Sequence, residues 1–404
     1  MTTYFSRNDW TGPLRELGIP INAMADLDPL IRKIGQKRIV MLGEASHGTH
    51  EYYTWRSHIT RRLVEEYGFR FVAVEGDWPD CYALNRYVSH HASAPGSATD
   101  NLHSFDRWPT WMWGNWEIAA FVEWMRRHNK GKERKEQVGF YGLDVYSLWD
   151  SLECVVQYLQ KNDPDALKAA HEAIRCFEPY KEDEGASYGY AARMVPELCQ
   201  DEVIGLLQTL TDKRKTPEGD TEPVFSAEQN ALIAVNAERY YRAMISGGPH
   251  SWNVRDSHMM ETLNRLLEFQ GPESKAIIWA HNTHIGDARA TDMADEGMFN
   301  IGQLARQQYG NDAVALIGFG SYEGSVIAGS AWGADLERKE VPEAREDSWE
   351  FQLHTAGGNR LLLLDQFPQT PFHDTRIGHR AIGVVYRPAY ERYGNYVQSI
   401  IGQR

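Results

Sequence analysis

The chain has 404 residues, 42% of them hydrophobic and 24% charged, with a formal net charge of −14. This composition excludes a disordered chain and leaves ample material for a sizeable core. The acidic balance argues against nucleic acid as a standing partner, because phosphate binding needs clustered Lys and Arg.

The single basic run, 126–135, is broken by Glu133 and reads as a solvated helix end and loop. The start, MTTYFSRNDW, shows no basic segment followed by an apolar stretch, so no signal peptide is expected. No apolar run approaches bilayer length, which predicts no membrane partner. Cys81, Cys154, Cys176 and Cys199 form neither a metal spacing nor an evident disulfide framework. A cytoplasmic protein with reduced thiols is therefore expected. The unusual feature is aromatic: 13 Trp and 20 Tyr. Such side chains suit a site for a bulky ligand and are also ordinary core material.

Six short apolar runs read as buried strands in chain order: RIVML (38–42), FRFVAVE (69–75), VGFYGL (138–143), KAIIWA (275–280), AVALIGF (313–319) and AIGVVY (381–386). Rich in Val, Ile and Phe without clear alternation, they predict a sheet covered on both faces. After the first run, Tyr52, Trp55, Ile59, Leu63 and Tyr67 recur at helical spacing, and Gly68 is the stop. Leu148, Leu152, Val155 and Leu159 predict another helix after the third run. This alternation predicts an α/β fold with a central, mostly parallel sheet flanked by helices.

Residues 146–270 break the pattern, with helices and no strand. Asp163-Pro164 reads as a cap followed by Pro at the first helical position. Ser226 with Gln229 reads as a capping box ahead of Ile233, Ala237, Tyr240 and Met244. The segment Thr211–Glu222 reads as an exposed loop. The expected organisation is an α/β core of residues 1–145 and 271–404 carrying the cleft, with 146–270 as an all-helical insertion or subdomain.

Polar residues gather where the strands end. RIVML runs into Gly43-Glu44-Ala45-Ser46-His47-Gly48, FRFVAV ends in Glu75, VGFYGL is followed by Asp144, and KAIIWA by His281-Asn282-Thr283-His284. Open α/β sheets bind ligands at strand C-termini. Glu44, His47, Glu75, His281 and His284 are thus expected to form one cluster with Asp144 at its edge. Each residue alone has a plain structural reading: a helix-start acid, a satisfied buried His, or an acid paired with a nearby Arg. Their joint placement favours a site. Two His and two Glu (Glu44, Glu75, His281, His284) are also a donor set for a divalent metal, although no HExxH is present. Ser46 lies in no GxSxG elbow, no Cys sits in an activating turn, and no nucleotide-binding Gly loop occurs. Arg56, one turn after Tyr52, reads either as a surface arginine or as a cation aimed at a carboxylate or oxyanion.

The stretches VMLGEASHGTHEYYTWR, VAVEGDWPDCYALNRYV, VGFYGLDVYSLWDSL, RDSHMMETL, IIWAHNTHIGD and IGFGSYEG, in that order, resemble the motifs of the erythromycin esterase family. The likeness runs from about residue 25 to about residue 395. It implies an α/β fold with a helical region after the third strand, and hydrolysis of a carboxylic ester or lactone. The small-molecule ester is then the implied partner, and macrolides are one substrate class. By position, Glu44 and His47 match the family's Gly-Glu-x-x-His, with His47 the implied general base. Glu75 matches its second-strand acid, His281 and His284 its later histidines, and Arg56 its site arginine. In the implied mechanism neutral His47 deprotonates water, Glu44 or Glu75 orients it, and Arg56 or a histidine N–H stabilises the oxyanion. The resemblance implies no cofactor. A metal-dependent hydrolase using the same Glu/His set, or a non-catalytic small-molecule-binding protein, are the alternatives.

The segment Gly48–Tyr53 resembles the broad membership more than the antibiotic-resistance enzymes. The family's C-terminal segment runs further than this chain, which is expected to lack a last strand or to finish differently. Trp78, Trp108, Trp111, Trp113 and Trp116 lie between the second and third strands. They are expected to wall a wide cleft, Trp78, Trp113 and Trp116 above all, or else to cement helices onto the sheet. The sequence sets no oligomeric state.

Overall fold

A computed structural model describes residues 11–404 except 93, 95, 183–184, 196–197, 214–220 and 367–370. Its centre is a parallel sheet of five strands: β1 (Ile39–Leu42), β2 (Phe71–Val74), β3 (Gly139–Gly142), β4 (Ala276–Trp279) and β5 (Val314–Ile317). Their order is β3-β2-β4-β1-β5. β1 pairs in parallel with β4 on one side, Leu42 opposite Trp279, and with β5 on the other, Leu42 opposite Ile317. Every residue of β1 to β4 is buried, which is why these runs show no polar alternation.

By internal packing the chain divides into two compact units. The first comprises the described residues through Val72, Phe105–Trp124 and Lys275–Arg404. It holds β1, β4 and β5, the helix His50–Tyr67, an antiparallel hairpin β6 (Gly324–Gly329) and β7 (Leu336–Val341), and the antiparallel pair β8 (Ile377–Arg380) and β9 (Tyr396–Ser399). The helix His50–Tyr67 ends at Gly68, whose φ of +70° is the left-handed turn that stops it.

The second unit comprises Ala73–Ser104 and Met125–Ser274. From Leu148 to Phe269 its described residues contain helices and no strand. They pack around a core of their own that includes Leu152, Val155, Phe177, Tyr188, Leu206 and Ala234. Its longest helix, Glu222–Met244, is buried on nearly all sides from Phe225 to Glu238. A helix enclosed this way needs no single apolar stripe.

Four local expectations are corrected. The run 381–386 is not a strand of the sheet. Ile382 and Tyr386 are buried, but the segment makes only isolated bridges, to Ser46 and Gly329, so its apolar character reflects burial rather than a ladder. Near that segment β8 pairs antiparallel with β9, Arg380 opposite Tyr396. Ser226 does not cap a helix, because Glu222-Pro223 starts that helix a turn earlier, and the Ser226 hydroxyl instead accepts from the Trp78 indole N–H at 3.1 Å. Pro164 opens a short 3-10 turn, and the α-helix begins at Leu167. Of the expected loop Thr211–Glu222, residues 214–220 lie outside the described residues, 211–213 belong to the helix Gln200–Lys213, and Glu222 to the next helix.

The cysteines depart most from expectation. Cys176 and Cys199 form a disulfide, while Cys81 and Cys154 are free. The pairing joins the helix Leu167–Phe177 to the residue before the helix Gln200–Lys213, and it removes the cysteine argument for a reducing compartment. No helix among the described residues is long and apolar enough to cross a membrane.

The disulfide closes a ring across 23 positions, and cutting such a ring costs about 3 kcal/mol by loop-closure entropy. Urea unfolding with and without a phosphine reductant should show that loss. A non-reducing peptide map should recover the Cys176 and Cys199 peptides as one species; recovery only as separate thiol peptides would refute the pairing.

Candidate active site

The segment leaving β1 is fixed residue by residue. Gly43 N–H donates to the Ile317 carbonyl (2.8 Å), and the Glu44 carbonyl accepts from Asn282 N–H (2.8 Å). The Ala45 carbonyl accepts from Ile382 (2.8 Å) and the Gly48 carbonyl from Ile327 (3.0 Å). A Cβ at Gly48 would overlap the Ile327 carbonyl, so only glycine fits there. The loop between β1 and its helix is thus held by β5, the end of β4, the 382 segment and β6.

This loop presents Glu44 and His47. Glu44 Oε1 lies 2.9 Å from His47 Nδ1, and Glu44 Oε2 accepts from Arg56 Nη2 at 2.5 Å. Both carboxylate oxygens are therefore used, by an imidazole three residues on and a guanidinium twelve residues on. Arg56 has no exposed side-chain surface, which removes the surface-arginine reading. It stands one helical turn from Tyr52 and one from Ile59 or Thr60, on the helix's buried face. Its guanidinium lies 4.9 Å from the Tyr53 ring and 5.0 Å from the Trp279 ring, both at cation–π distance. The Tyr53 hydroxyl lies within hydrogen-bond distance of both the His47 carbonyl (2.6 Å) and the Met112 carbonyl (2.7 Å).

The hydrogen bond to Glu44 places the His47 proton on Nδ1. Nε2 is then the basic nitrogen, and no hydrogen-bond partner occupies it among the described residues. The His281 ring sits 5.0 Å from the His47 ring, centroid to centroid. His281 Nδ1 accepts from Thr283 N–H at 3.3 Å, so its own proton is on Nε2. His281 follows β4 after one intervening residue, as Glu44 follows β1, and these strands are neighbours; that is how residues more than 230 positions apart meet. His284 is buried in the short helix Asn282–Ile285.

In the second unit Glu75 and Asp144 share one cation. Arg255 Nε and Nη2 grip Asp144 at 2.9 and 2.6 Å, and Nη2 also reaches Glu75 at 2.8 Å. Burial opposes the charge on Asp144, but the charge and hydrogen bonds of Arg255 outweigh it and hold the carboxyl below its usual range. Arg255 was not singled out from the sequence, although it opens the RDSHMMETL motif; its partners are 111 and 180 positions away. On the same helix, burial pushes His258 down to about 4, so it is neutral.

Thiol and hydroxyl nucleophiles are poorly placed. Burial raises the Cys81 thiol well above its usual value and Cys154 to about 11. The Ser46 hydroxyl is hydrogen-bonded to that of Thr49. Among the described residues no group of three or more His, Cys, Asp or Glu is arranged to hold a metal ion.

Of the tryptophans, Trp78 is buried between the Tyr82 and Tyr141 rings, and Trp113 is buried edge-on to Tyr53. Trp111 is also buried. Trp108 donates to the Ala334 carbonyl at 2.9 Å and meets Trp332 at 4.6 Å, while Trp116 is 79% exposed.

A parallel α/β sheet thus carries an acid–imidazole–guanidinium array at a strand end. The chain belongs to the erythromycin esterase family, whose model matches residues 64–404. It is 25% identical over 381 residues to the erythromycin esterase type II of Escherichia coli, covering 88% of this chain and 87% of that protein. A putative hydrolase of Bacillus subtilis, YbfO, is 22% identical over 279 residues, covering 64% of this chain and 59% of that one. Among solved structures, a Bacillus cereus protein superposes with a TM-score of 0.81 at 20% identity, covering 99% of this chain and 95% of that one. An erythromycin esterase EreC variant in its open conformation superposes at 0.69 and 18% identity, covering 94% and 92%. These two likenesses concern the fold.

Replacing Arg255 by Met should destabilise the protein by about 3–5 kcal/mol at neutral pH, the usual cost of leaving buried charges unpaired. In the parent, the depressed Asp144 group contributes stability that is present above its unfolded pKa and lost as pH falls through the folded value. In the variant Asp144, without the guanidinium that holds it, takes up a proton more readily. The gap in urea midpoints should therefore narrow from pH 7 to pH 4.5, and a constant gap would refute the pairing argument.

Proposed function

We propose that the protein hydrolyses a carboxylic ester or lactone by direct attack of water, with His47 as general base and no cofactor. The observation that carries this reading is the 2.9 Å contact between Glu44 and His47 Nδ1, which leaves Nε2 as an open base. Water gives its proton to Nε2 as its oxygen bonds to the acyl carbon. His281 Nε2–H is the donor for the tetrahedral oxyanion, an electrostatic role for which the neutral tautomer suffices. Collapse breaks the acyl–oxygen bond, the leaving alkoxide takes the proton back from His47, and the acid is released.

Glu44 fixes the tautomer of His47 and stabilises the imidazolium as it forms. Arg56 acts through Glu44, occupying its second oxygen, and is a positioning residue in this scheme rather than the oxyanion donor. Glu75, Asp144 and Arg255 are assigned a structural and orienting part. The names of the relatives make macrolide lactones the first substrates to try. The metal-dependent hydrolase is the second reading, separated from the first by whether turnover survives chelator treatment.

A panel of esters and lactones, several macrolides included, should yield at least one product heavier than its substrate by one water, read by mass spectrometry. On that substrate His47→Asn should lower kcat by about 10²–10⁴, with KM and the melting temperature little changed. Glu44→Gln should lower kcat less, because the amide still contacts Nδ1 but neither enforces the tautomer nor balances the imidazolium. Undiminished turnover by His47→Asn would sink the assignment.

A further inference from the structure

A second polar cluster lies at the strand-end side of β5. It borders a cavity of about 1620 Å³ within the first unit, whose lining includes Ser46, Tyr52, Phe319, Glu350, His379 and Arg404. Glu350 lies in the first turn of the helix Trp349–Thr355 and is 3% exposed. Its Oε1 accepts from Arg380 N–H at 2.9 Å and lies 3.4 Å from His379 Nε2. Arg404 Nη1 donates to His379 Nδ1 at 2.9 Å, which fixes the His379 proton on Nε2. Burial and the Arg404 charge push His379 down to about 3, so it stays neutral.

Oε1 is thus used as an acceptor, whereas Oε2 is buried with no hydrogen-bond partner among the described residues, and so is Arg404 Nη2 at the other side of the imidazole. Buried polar atoms without partners are uncommon, and these two retain capacity to bond a ligand of matching chemistry. An added Cβ at Gly320 would lie 3.3 Å from Glu350 Oε1, so the glycine keeps the turn after β5 close to this cluster. Tyr52 and Phe319, with ring centroids 5.8 Å apart, add apolar surface to the same lining.

We propose that this cavity is a second ligand site, taking a small monocarboxylate with an aromatic or apolar body. The Glu350 carboxylic acid donates its Oε2 proton to the ligand carboxylate, Arg404 supplies the countercharge, and the Tyr52–Phe319 surface receives the ring. The proposal does not depend on the hydrolytic reading, since it requires only binding. Glu350 suits the part because burial pushes it up to about 7, against the opposing pull of Arg380 and Arg404. The charged or titratable groups around it are His379 and Arg380 from β8, Arg404 from the C-terminal turn, and Tyr52 from the helix after β1. His379 is neutral and Arg380 is spent on Glu391, the Ser321, Tyr322 and Pro342 carbonyls, and the Tyr396 hydroxyl. Tyr52 is raised by burial. Among these neighbouring groups Glu350 is then the one whose charge changes between pH 6 and pH 8.5.

Benzoate is the probe, titrated calorimetrically into full-length His47→Asn protein so that turnover plays no part. It remains an anion throughout, its acid having a pKa of about 4. Binding should be saturable at pH 6 and weaker by roughly thirtyfold at pH 8.5, when ionised Glu350 opposes it. Adding Glu350→Gln, which keeps a donor and removes the titration, should leave binding nearly equal at the two pH values. No saturable binding at pH 6, equal affinity at both pH values, or an unchanged pH dependence with Glu350→Gln would each overturn the proposal. The pH comparison in the protein with native Glu350 stands even if the Gln variant folds poorly.

Discussion

The buried contact between Arg56 and Glu44 is the constraint from which the strand-end site follows. A carboxylate withdrawn from water costs several kcal/mol unless a countercharge and hydrogen bonds replace its hydration. Arg56 supplies one such bond and His47 the other. The arginine has the same problem: Nε and Nη1 find no hydrogen-bond acceptor among the described residues. The faces of Tyr53 and Trp279 stand in for those acceptors. Because Trp279 ends β4 and Tyr53 belongs to the helix after β1, the charge pair ties strand, helix and loop into one arrangement. The tautomer of His47 is a consequence of that arrangement.

The second unit repeats the device with different connectivity. Arg255 lies in the helix His250–Phe269 and takes two carboxylates from the ends of β2 and β3 while lying 4.9 Å from the Tyr146 ring. In the first unit the cation comes from the helix directly after its strand, twelve residues from its acid. A local pair of that kind leaves a readable trace, because Arg56 falls at i+4 from Tyr52 on the buried stripe. A cation recruited across more than a hundred residues leaves none, since sequence spacing carries no information about which distant helix returns to which strand end.

That contrast accounts for much of what was legible. Strands β1 to β4 showed themselves as dense apolar runs because they are buried on both faces of a parallel sheet. Glu44, His47 and His281 were legible because polar residues directly after such strands converge at one sheet edge. The 382 segment shares the same apolar signature through burial alone, so composition could not separate it from a sheet strand. Ser226 carried a sound capping pattern, but the Trp78 indole, 148 positions away, uses its hydroxyl instead. Cys176 and Cys199 pair through the packing of two helices, and nothing in their spacing announces it. Glu350 and His379 come after β5, in sequence with no strand-end pattern to single them out.

The aromatic surplus acquires a physical account beyond a bulky ligand. Trp78 and Trp113 are buried, so their bulk is spent on packing. Several other rings lie against arginines: Tyr53 and Trp279 on Arg56, Tyr146 on Arg255, Tyr87 on Arg126, and Tyr396 on both Arg345 and Arg380. An acidic chain that uses buried or half-buried arginines to hold strand-end carboxylates must desolvate each guanidinium along with its acid. An aromatic face binds the cation without competing for the N–H donors that the carboxylates need. Replacing such a ring with an aliphatic side chain of similar size preserves the packing but removes the electrostatic compensation. At the two strand-end clusters the acids, the arginines that hold them and the rings against those arginines form one arrangement away from water.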